Sequence, residues 1–273
     1  MKSRLKFYFD KARELIVDHQ FIARDFTYFL NALEIPSTAI VLEDDLKLSK
    51  NHIGKINSFF SSYAQGIPID YILGESSFFD FKFYVDSRVL IPRPETELIV
   101  ERVLNFSLDL NAHVLEVGTG SGCIAIALGI LRPHFKILAS DLSADALEVA
   151  KINLQKHEVS NVLFIRSNWL PYAKPGSLDL IISNPPYLTP EDGHLKELTH
   201  EPISALISPN GTKSFSEISQ QAIIALKPNG RIIFEHGYSQ RLEVTKILKD
   251  SGFKNIISEQ DFQGLDRLIY AEK

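Results

Sequence analysis

The chain has one cysteine, one methionine and one tryptophan among 273 residues. A lone cysteine, Cys123, excludes an intrachain disulfide framework and points to a reducing cytoplasm. No apolar run approaches the roughly 20 residues that a membrane-crossing helix needs. The most apolar stretch, Leu115 to Leu131, is interrupted by Glu116 and a cluster of glycines. The first twenty residues carry Lys2, Arg4, Lys6, Asp10, Lys11, Arg13, Glu14 and Asp18, so no uncharged secretory core is expected there. Basic excess is also lacking. Lysine and arginine number 29 against 34 acids, a net charge of −5, which argues against a broad nucleic-acid surface. The histidines His113, His134, His157, His194, His200 and His236 show no paired ligand spacing, so no metal site is expected. No Ser-His-acid triad can be assigned. What remains is an ordinary globular mixture, 45% hydrophobic and 23% charged, able to bury a sizeable core.

The chain changes character near residue 70. Before it, apolar residues follow helical spacing in three stripes: Leu5, Phe9, Ala12, Ile16; then Ile22, Phe26, Phe29, Leu30, Leu33; then Ile53, Ile56, Phe60, Tyr63. Pro36 precedes a short helix candidate over 37–46. Ser49 is placed to cap the next helix, and Gly66 with Pro68 to end it. A small all-helical domain over 1–70 is expected, its aromatic stripes forming the core rather than a ligand site. Residues 71–95 read as a linker. In it Phe79, Phe81, Phe83 and Val85 alternate with Asp80, Lys82 and Tyr84, a period-two pattern that predicts a β-hairpin. Pro92 and Pro94 then stiffen the chain, and Thr96 or Glu95 can open a helix to about Phe106.

From residue 112 short apolar strands alternate with amphipathic helices. Strands are predicted at 113–117, 136–140, 161–166, 178–183, 231–235, 254–258 and 267–271. Helices are predicted at 121–131, 144–156, 215–226 and 240–251. This pattern predicts an α/β domain over 96–273, an open and mostly parallel seven-stranded sheet covered on both faces. The last two strands lack room for a crossover helix and should be antiparallel.

Three motifs fall where such a sheet binds ligands. Gly118-Thr119-Gly120-Ser121-Gly122 sits between the first strand and its helix. Its third glycine comes one residue early for a dinucleotide fingerprint, which fits a nucleoside without a pyrophosphate better than a dinucleotide. A tight turn without a ligand is the simpler alternative. Asp141 ends the second strand, where an acid can accept two hydrogen bonds from a ribose diol; alone it could equally cap the following helix. Asn184-Pro185-Pro186-Tyr187 follows the strand at 178–183. If that strand neighbours the first one where the strand order reverses, Asn184 lies beside the glycine loop. An amide or aromatic amine is a poor nucleophile with two N–H donors. The Asn184 side-chain oxygen and the Pro185 carbonyl can accept both, prolines hold the turn rigid, and Tyr187 can stack on a planar NH₂ group. Trp169, in a loop after the third strand, serves either core packing or the wall of an adenine pocket. Cys123 reads as a buried helix residue, not a nucleophile.

These motifs resemble the amino-group methyltransferases that use S-adenosylmethionine, and more closely one family, the peptide chain release factor glutamine methyltransferases. The segments that carry the resemblance are Pro68-Ile69-Asp70-Tyr71-Ile72-Leu73-Gly74-Glu75 and Val89-Leu90-Ile91-Pro92-Arg93-Pro94-Glu95-Thr96-Glu97. The glycine loop, 184–187, Glu201-Pro202 and Glu235-His236-Gly237 follow in the expected order. The resemblance implies a Rossmann-like class I methyltransferase domain preceded by the helical domain and the hairpin linker. It implies that Gly118, Thr119, Gly120, Ser121 and Gly122 hold the methionine end of the cofactor, that Asp141 holds its ribose and that Trp169 borders its adenine. Asn184, Pro185, Pro186 and Tyr187 would hold the target amide, with Arg93 and Glu95 on the substrate side. It further implies a cytoplasmic monomeric enzyme of translation termination. Its substrate would be the glutamine in the Gly-Gly-Gln loop of class-one release factors, recognised through the helical domain. The alternatives are a DNA or RNA adenine methyltransferase, which needs the basic channel that the charge balance disfavours, and a cofactor-dependent binding protein without catalysis.

Overall fold

The computed structural model describes residues 5–14, 21–36, 48–170 and 174–273. The chain forms two compact units, Met1–Glu75 and Ser76–Lys273. The first holds α1 (Leu5–Glu14), α2 (Ile22–Ala32), α3 (Lys50–Tyr63) and the short α4 (Ile69–Leu73). Their apolar stripes meet: Leu5, Ala12, Ile22, Phe26, Leu30, Ile56 and Phe60 are all buried in one cluster. Phe59 is its hub, with ring centroids 5.4 Å from Phe26 and 4.7 Å from Phe29. Ser49 caps α3, its side chain accepting from the His52 N–H at 3.1 Å. The Tyr63 hydroxyl donates to Asp25 at 2.7 Å and ties α3 to α2. Ile16, the helix candidate at 37–46 and the Phe9 side chain lie outside what is described.

The second unit opens with a two-stranded hairpin, β1 (Glu75–Phe78, whose first residue is the last of the first unit) with β2 (Phe81–Tyr84). Its turn is Phe79-Asp80, with φ of 51° and 63°. Positive φ at both central residues is the primed geometry that matches strand twist. The hairpin expected from the alternation is present; Phe79, first of the alternating residues, lies in its turn, and Phe78 and Phe83 are the buried pair. The sequence lacks the Asn-Gly or Asp-Gly signal, and the turn is held from outside by Glu97, which accepts from the Phe79 N–H at 2.8 Å. After a 3₁₀ turn at Pro94–Thr96, α5 runs over Glu97–Leu104.

The main sheet has seven strands in the order β5-β4-β3-β6-β7-β9-β8. They are β3 (His113–Val117), β4 (Lys136–Asp141), β5 (Val162–Arg166), β6 (Leu178–Ser183), β7 (Leu226–Glu235), β8 (Lys254–Gln260) and β9 (Asp266–Glu272). All neighbours are parallel except β9, which runs antiparallel to both β7 and β8. The final pair is therefore antiparallel as predicted, with β9 inserted between β7 and β8. The helices are α6 (Cys123–Leu131), α7 (Ala144–Lys156), the one-turn α8 (Ile203–Leu206), α9 (Lys213–Ala225) and α10 (Arg241–Asp250). Alternate strand residues feed two cores. Val114, Leu180 and Ile182 pack in the same cluster as α5 and α6, whereas Leu115, Val117 and Ile181 pack in that of α9 and α10. Helix α6 is apolar on every side and wholly buried from Cys123 to Gly129, as a helix between sheet and helices must be. Among the described residues no helix is long and apolar enough to cross a membrane.

One buried polar side chain joins three segments. Asn153 on α7 is fully buried. It accepts from the Tyr84 N–H at 2.6 Å and donates to the carbonyls of Tyr84 and Ser121, each at 2.9 Å. It thus fixes the end of the hairpin and the turn after β3 to the same helix. Asn153→Ala leaves these three backbone groups unpaired and is expected to cost about 2–4 kcal/mol. Thermal denaturation should show the loss; an unchanged midpoint would remove this anchor.

Candidate active site

Strand order reverses between β3 and β6, since β3, β4 and β5 progress one way and β6 and β7 the other. In open α/β sheets, ligands bind beyond the carboxyl ends of the strands at this point. Val117 pairs with Ser183, and the Ser183 hydroxyl donates to the Val117 carbonyl at 2.7 Å. Gly118 and Asn184, the next residue on each strand, therefore emerge side by side. Both line a cavity of about 410 Å³.

The turn after β3 leaves the strand through Gly118, with φ of +76°. An added Cβ there would meet nothing within 4 Å, because the position opens on the cavity. Gly122 differs. Its φ is +82°, and a Cβ would stand 3.1–3.2 Å from Ile126, Ala150 and Phe164. It lets the helix pack and does not line the cavity. The loop's N–H groups are largely occupied: those of Gly118 and Thr119 donate to the Ser140 carbonyl at 2.8 and 2.9 Å, and that of Gly122 to the Thr119 carbonyl at 2.8 Å. The Gly120 N–H donates to Asp141 at 2.9 Å. A pyrophosphate cradle needs such groups aimed at the ligand, so this loop is not built for one.

Three acids with raised pKa values stand in or beside the site. Glu116, 1% exposed, lines the cavity while accepting from the Thr119 hydroxyl at 2.6 Å and the Ala125 N–H at 3.1 Å. Burial pushes its carboxyl up to about 8. Asp141 also lines the cavity, and burial raises its pKa. One oxygen accepts from Gly120, the other from the Ser143 N–H at 2.9 Å. The cap of α7 is Ser143, which accepts from the Ala146 N–H. Asp141 is thus free of that duty, with further lone pairs on each oxygen. Glu235, 2% exposed at the end of β7, is the third. Burial raises its pKa, against hydrogen bonds from Thr96 and Tyr187 and the charge of Arg267.

Trp169 both lines the cavity and packs against the second core. Its φ is +56°, a strained conformation for a bulky residue. The strain is held by α9: Glu217 accepts from the indole N–H at 2.8 Å, and Gln221 from the Leu170 N–H at 2.9 Å. Glu217 lines the cavity too. Sequence reasoning missed it, Glu116 and Gln221; the four-residue spacing of Glu217 and Gln221 on one helix face was the available signal.

Asn184 and Pro186 line the cavity with Pro92, whereas Pro185, Tyr187, Arg93 and Glu95 do not. Asn184 Nδ2 donates to the Thr96 hydroxyl at 3.2 Å. Thr96 donates to Glu235 at 2.5 Å, and the Tyr187 hydroxyl reaches the same carboxylate at 3.2 Å. Among the described residues no protein donor reaches Asn184 Oδ1 or the carbonyl of buried Pro185. Arg93 pairs with Glu201, whose other oxygen accepts from the Ile91 N–H at 3.0 Å. Glu95 acts on Glu235 only through its charge. Cys123 lies at the cavity edge, and burial pushes its thiol up to about 12, which leaves it protonated and inert.

Residues 94–209 match the family described as methyltransferase small domain. A methyltransferase from Pyrococcus furiosus shares the fold, with a TM-score of 0.56 at 16% identity over 80% of this chain and 98% of that one. A release factor glutamine methyltransferase of Coxiella burnetii is 34% identical over 84% of this chain and 83% of its own length. One from Vibrio cholerae is 36% identical over 89% of this chain and 86% of its own. With likeness of that degree over most of its length, the chain belongs to the release factor glutamine methyltransferase family.

Proposed function

We propose that the chain transfers the methyl group of S-adenosylmethionine to the side-chain amide nitrogen of the glutamine in the Gly-Gly-Gln loop of class-one release factors. The observation that supports this reading is an unengaged acceptor, Asn184 Oδ1, on a residue that lines the cavity together with Glu116 and Asp141; the carbonyl of the next residue, buried Pro185, is unengaged as well. The residues fit the cofactor by their chemistry. Glu116 offers a carboxylate to the ammonium of the methionine end. Asp141 offers its remaining lone pairs to the ribose diol, and Trp169 a flat wall to the adenine. Bound there, S-adenosylmethionine supplies an electrophilic sulfonium methyl. The protein's part is to orient. Asn184 and Pro185 accept the two amide N–H groups, turn the nitrogen toward the cavity and stabilise the positive charge that it gains. No strong base is required, because the alkylated nitrogen is acidic enough to lose its proton afterwards. Recognition of the intact protein substrate falls, in this reading, to the helical region 1–70.

Labelled S-adenosylmethionine offered with a class-one release factor, with duplex DNA or alone should label only the release factor, on its glutamine. Labelling of adenine instead would overturn the reading. Intact factor should also show a lower KM than a short Gly-Gly-Gln peptide; equal values would remove the recognition role of the helices.

Asn184→Ala is expected to lower kcat by about 10²-fold or more, with cofactor affinity by calorimetry little changed. Turnover near wild type would take Asn184 out of the mechanism.

Glu116 gives a stability test with a definite sign. Its folded pKa, about 8, lies above the ordinary carboxyl value of 4.5. The folded protein therefore binds the proton more tightly, and stability falls as pH rises from about 4.5 through about 8. Glu116→Gln keeps an acceptor and removes the ionisation. It should raise the melting temperature of the cofactor-free protein at pH 9, leave it nearly unchanged at pH 4.5, and weaken cofactor binding. Equal shifts at both pH values would contradict the buried charge.

A further inference from the structure

We propose that Thr96 is a positioning residue for the transfer: it takes the Asn184 amide as donor and gives its own proton to Glu235, which turns Asn184 Oδ1 toward the cavity. The inference rests on the reading of Asn184 as the acceptor for a substrate amide.

A side-chain amide has two ends of nearly equal size and opposite hydrogen-bonding character. Only one orientation of Asn184 presents an acceptor to a substrate N–H. The neighbouring groups choose it. Thr96 is 3% exposed and Glu235 is 2% exposed, so neither turns to water for a partner. With Glu235 ionised, the state that the Arg267 charge and the two hydroxyl donors favour against burial, it only accepts, and it takes the Thr96 proton at 2.5 Å and the Tyr187 proton at 3.2 Å on its two oxygens. A threonine hydroxyl has a single proton. With that proton directed to Glu235, Thr96 can only accept from Asn184, which stands 3.2 Å away. The reversed amide would set two oxygens against each other with no proton between them. The order of donors thus runs from Asn184 through Thr96 to Glu235 and leaves one outcome for Oδ1.

The parts come from three places in the chain. Thr96 ends the 3₁₀ turn before α5, Asn184 follows β6, and Glu235 ends β7. Tyr187 therefore acts here through its hydroxyl, as a second donor that keeps the Glu235 carboxylate in place.

The experiment compares Thr96→Val, which keeps the shape and deletes the hydroxyl, with Thr96→Ser, which keeps the hydroxyl. Val should lower kcat by about 10- to 100-fold, while KM for the release factor and cofactor affinity stay within about threefold. Ser should recover most of the lost kcat. In the full chain without substrates, the Asn184 side-chain NH₂ resonance should show a hydrogen-bond shift in wild type and Ser that Val removes. Should Val fail to bind cofactor, Thr96→Ala against Ser carries the same comparison. Val with wild-type kcat, Ser as impaired as Val, or an unaltered Asn184 resonance would each overturn the proposal. Failure of wild type to methylate a glutamine would instead sink the functional reading, and the resonance would still report on the hydrogen bond.

Discussion

The parallel pairing of β3 with β6 is the constraint on which the site depends. Val117 stands opposite Ser183 and accepts its hydroxyl proton. Side chains alternate along a strand, so a shift of one residue would turn each strand's apolar residues to the wrong core. Here Val114 and Leu180 serve one core while Leu115 and Ile181 serve the other. The same register therefore specifies both the packing of the two faces and the meeting of Gly118 with Asn184. The geometry of the proposed site thus follows from core burial: Val114, Leu115, Leu180 and Ile181, which hold the register, are apolar and do not line the cavity.

Holding acids in and beside the cavity costs stability. Glu116, Asp141 and Glu235 are each held against desolvation, with pKa values pushed upward. An apolar lining would be cheaper to fold. The sulfonium and ammonium of S-adenosylmethionine are cationic, so on the proposed reading Glu116 and Asp141, which line the cavity, would favour it over an anionic dinucleotide. The loop N–H groups of Gly118, Thr119, Gly120 and Gly122 point to protein oxygens and so offer no cradle for a pyrophosphate, which fits that reading.

Much of the catalytic unit was legible because its signals are local. Strands at 113–117 and 178–183 and the helix at 144–156 have the bounds that their apolar period and flanking residues predict. The hairpin turn at Phe79-Asp80 was not legible, since it is stabilised by Glu97 rather than by its own residues. The one-turn α8 is too short for a period. Thr96 and Glu235 carry no motif that announces their link, because 139 positions separate them. Gly122 was grouped with the ligand loop on spacing alone; its role in helix packing emerges only once Ile126, Ala150 and Phe164 surround it.

The acceptor pair also limits what the four-residue motif can decide. A glutamine amide and an adenine amine both present a planar NH₂ with two donors, so Asn184 and Pro185, acting as proposed, would accept either. Discrimination must come from what surrounds the NH₂ group. A duplex would bring a phosphate at every nucleotide and require compensating cations along its path. The chain carries 34 acids against 29 basic residues, and Arg93, beside the site, is already engaged by Glu201. A glutamine in a protein loop brings no such charge and needs only to be held. On the proposed reading the chemistry of the motif is general, and the acidic balance of the chain favours a protein amide over a duplex.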